Sequence, residues 1–143
     1  MPLRPGFDVQ RFNHFGREHF PGFVGLAITE VADGFVKGEL ELRKVLLAPN
    51  GYLHAGAIVT FADTLAGYGC IAHLPGNAEN FTTVELKVNY LGTAREGKLY
   101  GEARALHLGR TTQVWDAVVT RKSDGRKLAL FRCTQLVIWP KKA

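Results

Sequence analysis

The sequence predicts an α+β fold in which a curved antiparallel sheet wraps around one long central helix. Two observations predict it. Residues 51–73 are apolar or small on every side of a helical projection, and a helix that is apolar all round has to be covered all round. The strand-like segments are grouped, two before that stretch and four after it, which favours an antiparallel sheet over alternating parallel units. One acid, Asp63, sits in the middle of the apolar stretch, where an isolated carboxylate is costly unless something makes use of it.

Each element follows from local pattern. In residues 8–19, Val9, Phe12 and Phe15 recur at helical spacing and predict a short amphipathic helix, which Phe20-Pro21-Gly22 would end. Residues 24–32 and 35–42 read as strands about the turn dipeptide Asp33-Gly34, and the second alternates polar and apolar residues without a break. Pro49-Asn50-Gly51 marks a turn ahead of the long helix, and Pro75-Gly76-Asn77 closes it. Thr83, Glu85, Lys87 and Asn89 then alternate with Val84, Leu86, Val88 and Tyr90, giving another strand. Three more, over 98–107, 111–122 and 127–138, are separated by Gly109-Arg110 and Ser123-Asp124-Gly125. Repeats, low-complexity runs and linkers are missing, so 1–143 is expected to form one domain with residues 1–22 as an N-terminal helical segment.

Composition sets the outer limits. The 143 residues are 46% hydrophobic and 22% charged, enough to bury a core. A net charge of +5 favours an anionic partner without naming it. Basic residues such as Arg121-Lys122, Arg126-Lys127 and Lys141-Lys142 are scattered, with no interleaved aromatic and basic surface, so no nucleic-acid partner is expected. Two cysteines, Cys70 and Cys133, suit buried free thiols in a reducing compartment, and no metal-binding spacing occurs. Asp63, His54, His73 and interior glycines argue against a membrane span in the apolar stretch. The N-terminus lacks the apolar core of a signal peptide, and a cytoplasmic protein is expected.

The segment Pro49-Asn50-Gly51-Tyr52-Leu53-His54-Ala55-Gly56, followed by Phe61-Ala62-Asp63, resembles the hot-dog-fold acyl-CoA thioesterases, PaaI-like branch. Residues 82–91 and His107-Leu108-Gly109-Arg110-Thr111 resemble the family's next strand and later hairpin. The resemblance covers residues 20–138 and implies hydrolysis of an acyl-CoA thioester, with coenzyme A as part of the substrate and no separate cofactor. It implies a homodimer, often paired into a homotetramer. It implies site roles for Asp63, Asn50, His54, Ala55, Gly56 and Thr83, with Thr83 holding the attacking water or orienting Asp63. Arg110 and Thr111 would contact the coenzyme A phosphates. Two departures stand out: Ala55 replaces the first glycine of the usual His-Gly-Gly, and Asn50 lies closer to His54 than in many members. Ala keeps the backbone N–H that the family aims at the thioester oxygen, and loses only room.

The residues support this chemistry on their own terms. Thioester hydrolysis needs a group that attacks or deprotonates water, and donors aimed at the developing oxyanion. Asp63 can serve as nucleophile or general base. A helix starting near His54 offers unpaired N–H groups at its positive end, Ala55 first and Gly56 second. Ala55 and Asp63 are eight residues apart, about 12 Å along one helix at ~1.5 Å per residue. One reacting carbon cannot sit within about 3 Å of both, so donor and acid must come from two chains related by a two-fold axis. His54 projects to the face opposite Asp63, so a Ser/His/Asp arrangement is not available.

Each residue also has a plainer reading. Asp63 could be a buried acid satisfied by neighbouring donors, His54 a helix cap, Asn50 a turn residue, Thr83 an ordinary strand threonine and Arg110 a solvated turn. Phe20, Phe23 and Tyr68 either line an acyl pocket or pack in the core. At the level of function, a non-catalytic acyl-CoA sensor on the same fold would have no need of Asp63. A hydratase or dehydratase would need a close acid and histidine pair.

Overall fold

The computed structural model describes residues 1–141; Lys142, read above as part of a basic tail, lies outside the described residues. The elements run α1 (Val9–Gly16), α2 (Phe20–Val24), β1 (Leu26–Ala32), β2 (Phe35–Glu41), a 3-10 turn (Lys44–Leu46), α3 (Ala55–Ala72), β3 (Asn80–Tyr90), β4 (Lys98–Leu108), β5 (Thr112–Arg121) and β6 (Lys127–Ile138). The six strands form one antiparallel sheet in the order β1-β2-β4-β5-β6-β3. After β2 the chain crosses the sheet as α3 and returns at the far edge as β3, so β1 and β3 are the two free edges. This is the hot-dog architecture.

At the N-terminus the structure differs from the sequence reading. Asp8 caps α1 by accepting the Arg11 N–H at 2.8 Å, but the helix stops at Gly16. Phe20-Pro21-Gly22 does not end it; those residues open the separate helix α2. Proline is at home in a first helical turn, where its missing N–H has no partner to lose. Gly25, at φ +83°, closes α2 in the left-handed conformation, so the first strand starts at Leu26 rather than at 24. The 3-10 turn is too short to leave a periodic signal.

α3 lies against the sheet because the sheet makes room for it. Gly38 and Gly101 face each other across β2 and β4, and a Cβ on Gly101 would come within 2.5 Å of Leu65 and 2.7 Å of Phe61. Gly69 of α3 does the same for Trp115, whose ring would stand 2.5 Å from an added Cβ. Phe61, Leu65, Leu99, Trp115 and Leu128 are thereby fully buried.

The far end of α3 is fastened by a buried imidazole. His73 accepts the Gly34 N–H at Nε2 (2.8 Å), so its ring proton sits on Nδ1, facing the Gly69 carbonyl at 2.8 Å. Its carbonyl accepts from Gln113, whose side-chain oxygen accepts the Trp115 indole N–H at 2.9 Å. One ring thus joins the β1–β2 turn, the end of α3 and β5.

Candidate active site

The long helix places its expected site residues in two groups. At its N-terminus, His54 is the cap: the Nδ1 atom accepts the Gly56 N–H at 2.8 Å. The Gly56 donor is therefore engaged within its own turn. Ala55, the first helical residue, is exposed and its N–H has no acceptor among the described residues, as expected of a donor that the helix itself cannot satisfy. Asn50 stands in the preceding turn, its side-chain oxygen accepting the Tyr52 N–H at 3.2 Å. Tyr90 of β3 reaches this turn, donating its hydroxyl to the Ala55 carbonyl at 3.2 Å.

Two turns further along, Asp63 is half-buried, and its Oδ1 is enclosed without any hydrogen-bond partner among the described residues. Burial raises its pKa above the usual carboxylate value. Its charge acts on Cys133 of β6, whose thiol is pushed up to about 12 by burial first and by Asp63 second. Beside Cys133 on the buried face of β6 is Gln135, fully enclosed, and Gln135 accepts the Thr83 hydroxyl at 2.8 Å.

Thr83 reaches that wall through an irregularity. Strict alternation would put Thr83 on the same face as Glu85 and Lys87. The pairing instead runs Thr83–Gln135 and then Glu85–Thr134, with Val84 as an extra residue. This bulge shifts the strand by one phase. Thr83 and Leu86 then share the inner face, opposite Gln135 and Cys133, while Glu85 and Lys87 lie outside. Sequence reasoning missed Gln135 and read Cys133 only as a buried thiol; a polar residue in step with Phe131 and Cys133 in the alternation of 127–138 was the available signal for Gln135.

The remaining candidates sit apart from both groups. Arg110 is exposed in the β4–β5 turn, its guanidinium 5.1 Å from the Trp139 ring centre, and makes no ion pair among the described residues. The neighbouring Thr111 is exposed, its carbonyl accepting from Val137 at 2.8 Å. Phe20 and Phe23 stand out on α2, 60% and 73% exposed. Tyr68 stacks on Phe12 at 4.4 Å and borders a cleft of about 300 Å³ between α1, α2 and β1.

Comparison with known proteins decides the family. The Thioesterase superfamily model matches residues 50–127, more than half of the chain and the whole of α3, β3, β4 and β5. The chain belongs to the thioesterase superfamily. A 1,4-dihydroxy-2-naphthoyl-CoA hydrolase of Listeria monocytogenes is 31% identical to it over 78% of this chain and 89% of the relative. The crystal structure of a mutant thioesterase from Pseudomonas aeruginosa superposes with a TM-score of 0.89 at 27% identity, covering 95% of this chain and 97% of that one. A Streptococcus mutans protein solved with bound acetyl CoA has a TM-score of 0.74 at 27% identity, covering 84% and 94%. This thioesterase is thus a thioester hydrolase on a hot-dog fold, of a family that acts on acyl-CoA.

Proposed function

We propose that this thioesterase hydrolyses an acyl-CoA to the free acid and coenzyme A, as a cytoplasmic homodimer whose two sites each draw on both chains. The observation that carries the reading is the half-buried carboxylate of Asp63 on α3, whose enclosed Oδ1 has no partner among the described residues. A carboxylate left without donors and raised in basicity suits a general base. It would accept a proton from water as the water oxygen bonds to the thioester carbon. The C–S bond then breaks, and the proton passes on to the departing thiolate.

The oxyanion formed on the way needs a donor, and the Ala55 N–H is open at the positive end of α3. Since ~12 Å of helix separates the two groups, Ala55 would come from the second chain. The free β3 edge supports such pairing. It spans 11 residues and leaves Val84, Leu86 and Tyr90 exposed, a surface that isolated proteins normally cover. The strand segment Glu85-Leu86-Lys87 is also self-complementary about Leu86 when two copies run antiparallel, because each Glu85 then opposes a Lys87. Further pairing into a homotetramer is what the family resemblance implies. His54 holds the cap beside Ala55, Thr83 serves the water, and Arg110 with Thr111 offers a cation without an ion pair among the described residues and a hydroxyl to the coenzyme A phosphates.

The relative's activity directs attention to aryl acyl groups, so the test panel includes aryl as well as short- and medium-chain acyl-CoAs. Thiol release by wild type and by Asp63→Asn decides the matter. The expected loss is a factor of ~10² to 10⁴ in kcat, the range of a positioned base. The acidic limb of the wild-type profile should lie above the ordinary carboxylate range, with activity lost as pH falls and Asp63 takes up a proton. Equal turnover by the two proteins would remove Asp63 from the reaction. Binding without turnover on every substrate would favour the sensor.

A further inference from the structure

The side chain that Thr83 touches has no part in the reaction as so far described. Thr83 Oγ1 donates to Gln135 Oε1 at 2.8 Å, and Gln135 Nε2 reaches Cys133 Sγ at 3.2 Å. Gln135 is fully buried and engaged at both ends of its amide. A hydroxyl has one proton and two lone pairs. With its proton given to Gln135, Thr83 can offer only lone pairs to a neighbouring water, and the same chain of contacts leads through Cys133 to the charge of Asp63.

Resting on the reading of Asp63 as base, we propose that Gln135 is a positioning residue of the hydrolytic site: it turns the Thr83 hydroxyl into an acceptor for the attacking water and keeps its proton off Asp63. Water between the two residues would give one hydrogen to Thr83 as a hydrogen bond. It would transfer the other to Asp63 as its oxygen bonds to the thioester carbon. A Thr83 proton free to rotate would instead be drawn to the carboxylate, and a hydrogen bond to the charged form lowers basicity. The unpartnered Oδ1 of Asp63 agrees with this arrangement.

The other groups near Asp63 leave the role to this pair. Cys133 on β6 holds its proton, with a pKa of about 12. Glu85 on β3 faces outward with Thr134 at 3.4 Å. On α3 itself, Thr60 and Thr64 give their hydroxyls to the carbonyls of Gly56 and Thr60.

The test is the pH profile of kcat/KM for Gln135→Met and Gln135→Leu, each with and without Thr83→Val, on the best substrate of the panel. We expect kcat to fall about tenfold in the Gln135 variants with KM within about twofold. The acidic limb should move to lower pH, because the freed Thr83 proton now stabilises the charged Asp63. Adding Thr83→Val should return the limb to its wild-type position. A limb that stays put in both Gln135 variants would overturn the proposal, as would the same displacement with Thr83→Val present. If Asp63→Asn keeps full turnover, the base assignment itself is what has failed. Two variants of similar volume guard against a failure to fold, monitored by melting temperature.

Discussion

At the scale of single residues, the proposed site rests on two groups without partners among the described residues, Asp63 Oδ1 and the Ala55 N–H. The second can be removed almost alone. Ala55 is the first residue of α3 and follows His54 in an extended conformation, ψ 134°, which are the conditions a proline tolerates. Ala55→Pro should therefore delete the donor while leaving the helix intact. We expect kcat to fall by ~10² to 10³, as for other lost oxyanion donors, with an unchanged far-ultraviolet circular dichroism spectrum. Of these groups the acid was legible in the sequence, because a charge in an all-apolar helix has few explanations. The state of Gly56 was not legible: its N–H was expected to assist that of Ala55, and nothing in the residue order shows that His54 engages it. Only the rotamer of His54, with Nδ1 2.8 Å from Gly56 N, separates them.

At the scale of elements, the helix and most strands followed from periodicity, and the exceptions have physical causes. Pro21 reads equally as a stop or as a start, and the chain uses it as a start. The bulge at Val84 cannot be seen in a segment that alternates perfectly, yet it decides which way Thr83 faces. Helix-to-sheet distance is another property hidden from pattern, since it rests on single glycines. Gly69→Ala would push a Cβ to 2.5 Å from the Trp115 ring in a site with no slack. A loss of about 1–3 kcal/mol in unfolding free energy is expected, the usual cost of overpacking a core, measured by urea denaturation. Gly51→Ala makes a useful contrast: its surroundings are open and only its φ of +82° opposes the change.

At the scale of the whole molecule, the fold puts the proposed donor and the proposed acid on one helix, ~12 Å apart, and the proposed shared site follows from that distance. Two inactive proteins should therefore help each other. Chains carrying Asp63→Asn and chains carrying Ala55→Pro, unfolded together and refolded at equal amounts, would pair at random. Half of the dimers would be mixed, each with one complete site of two, restoring about a quarter of wild-type activity. Recovery no greater than the sum of the separate variants would rule out the shared site. A feature remote from the chemistry has its own consequence, in the time domain. The Gly34 amide lies in a tight turn, where backbone hydrogens ordinarily exchange with solvent within the rapid fraying of the loop. Here it donates to the Nε2 of a fully buried His73. Its release requires α3, β5 and the first hairpin to part together, so it should exchange on the slow clock of the central strands. Deuterium uptake resolved at that one amide would show a turn that opens only when the molecule does.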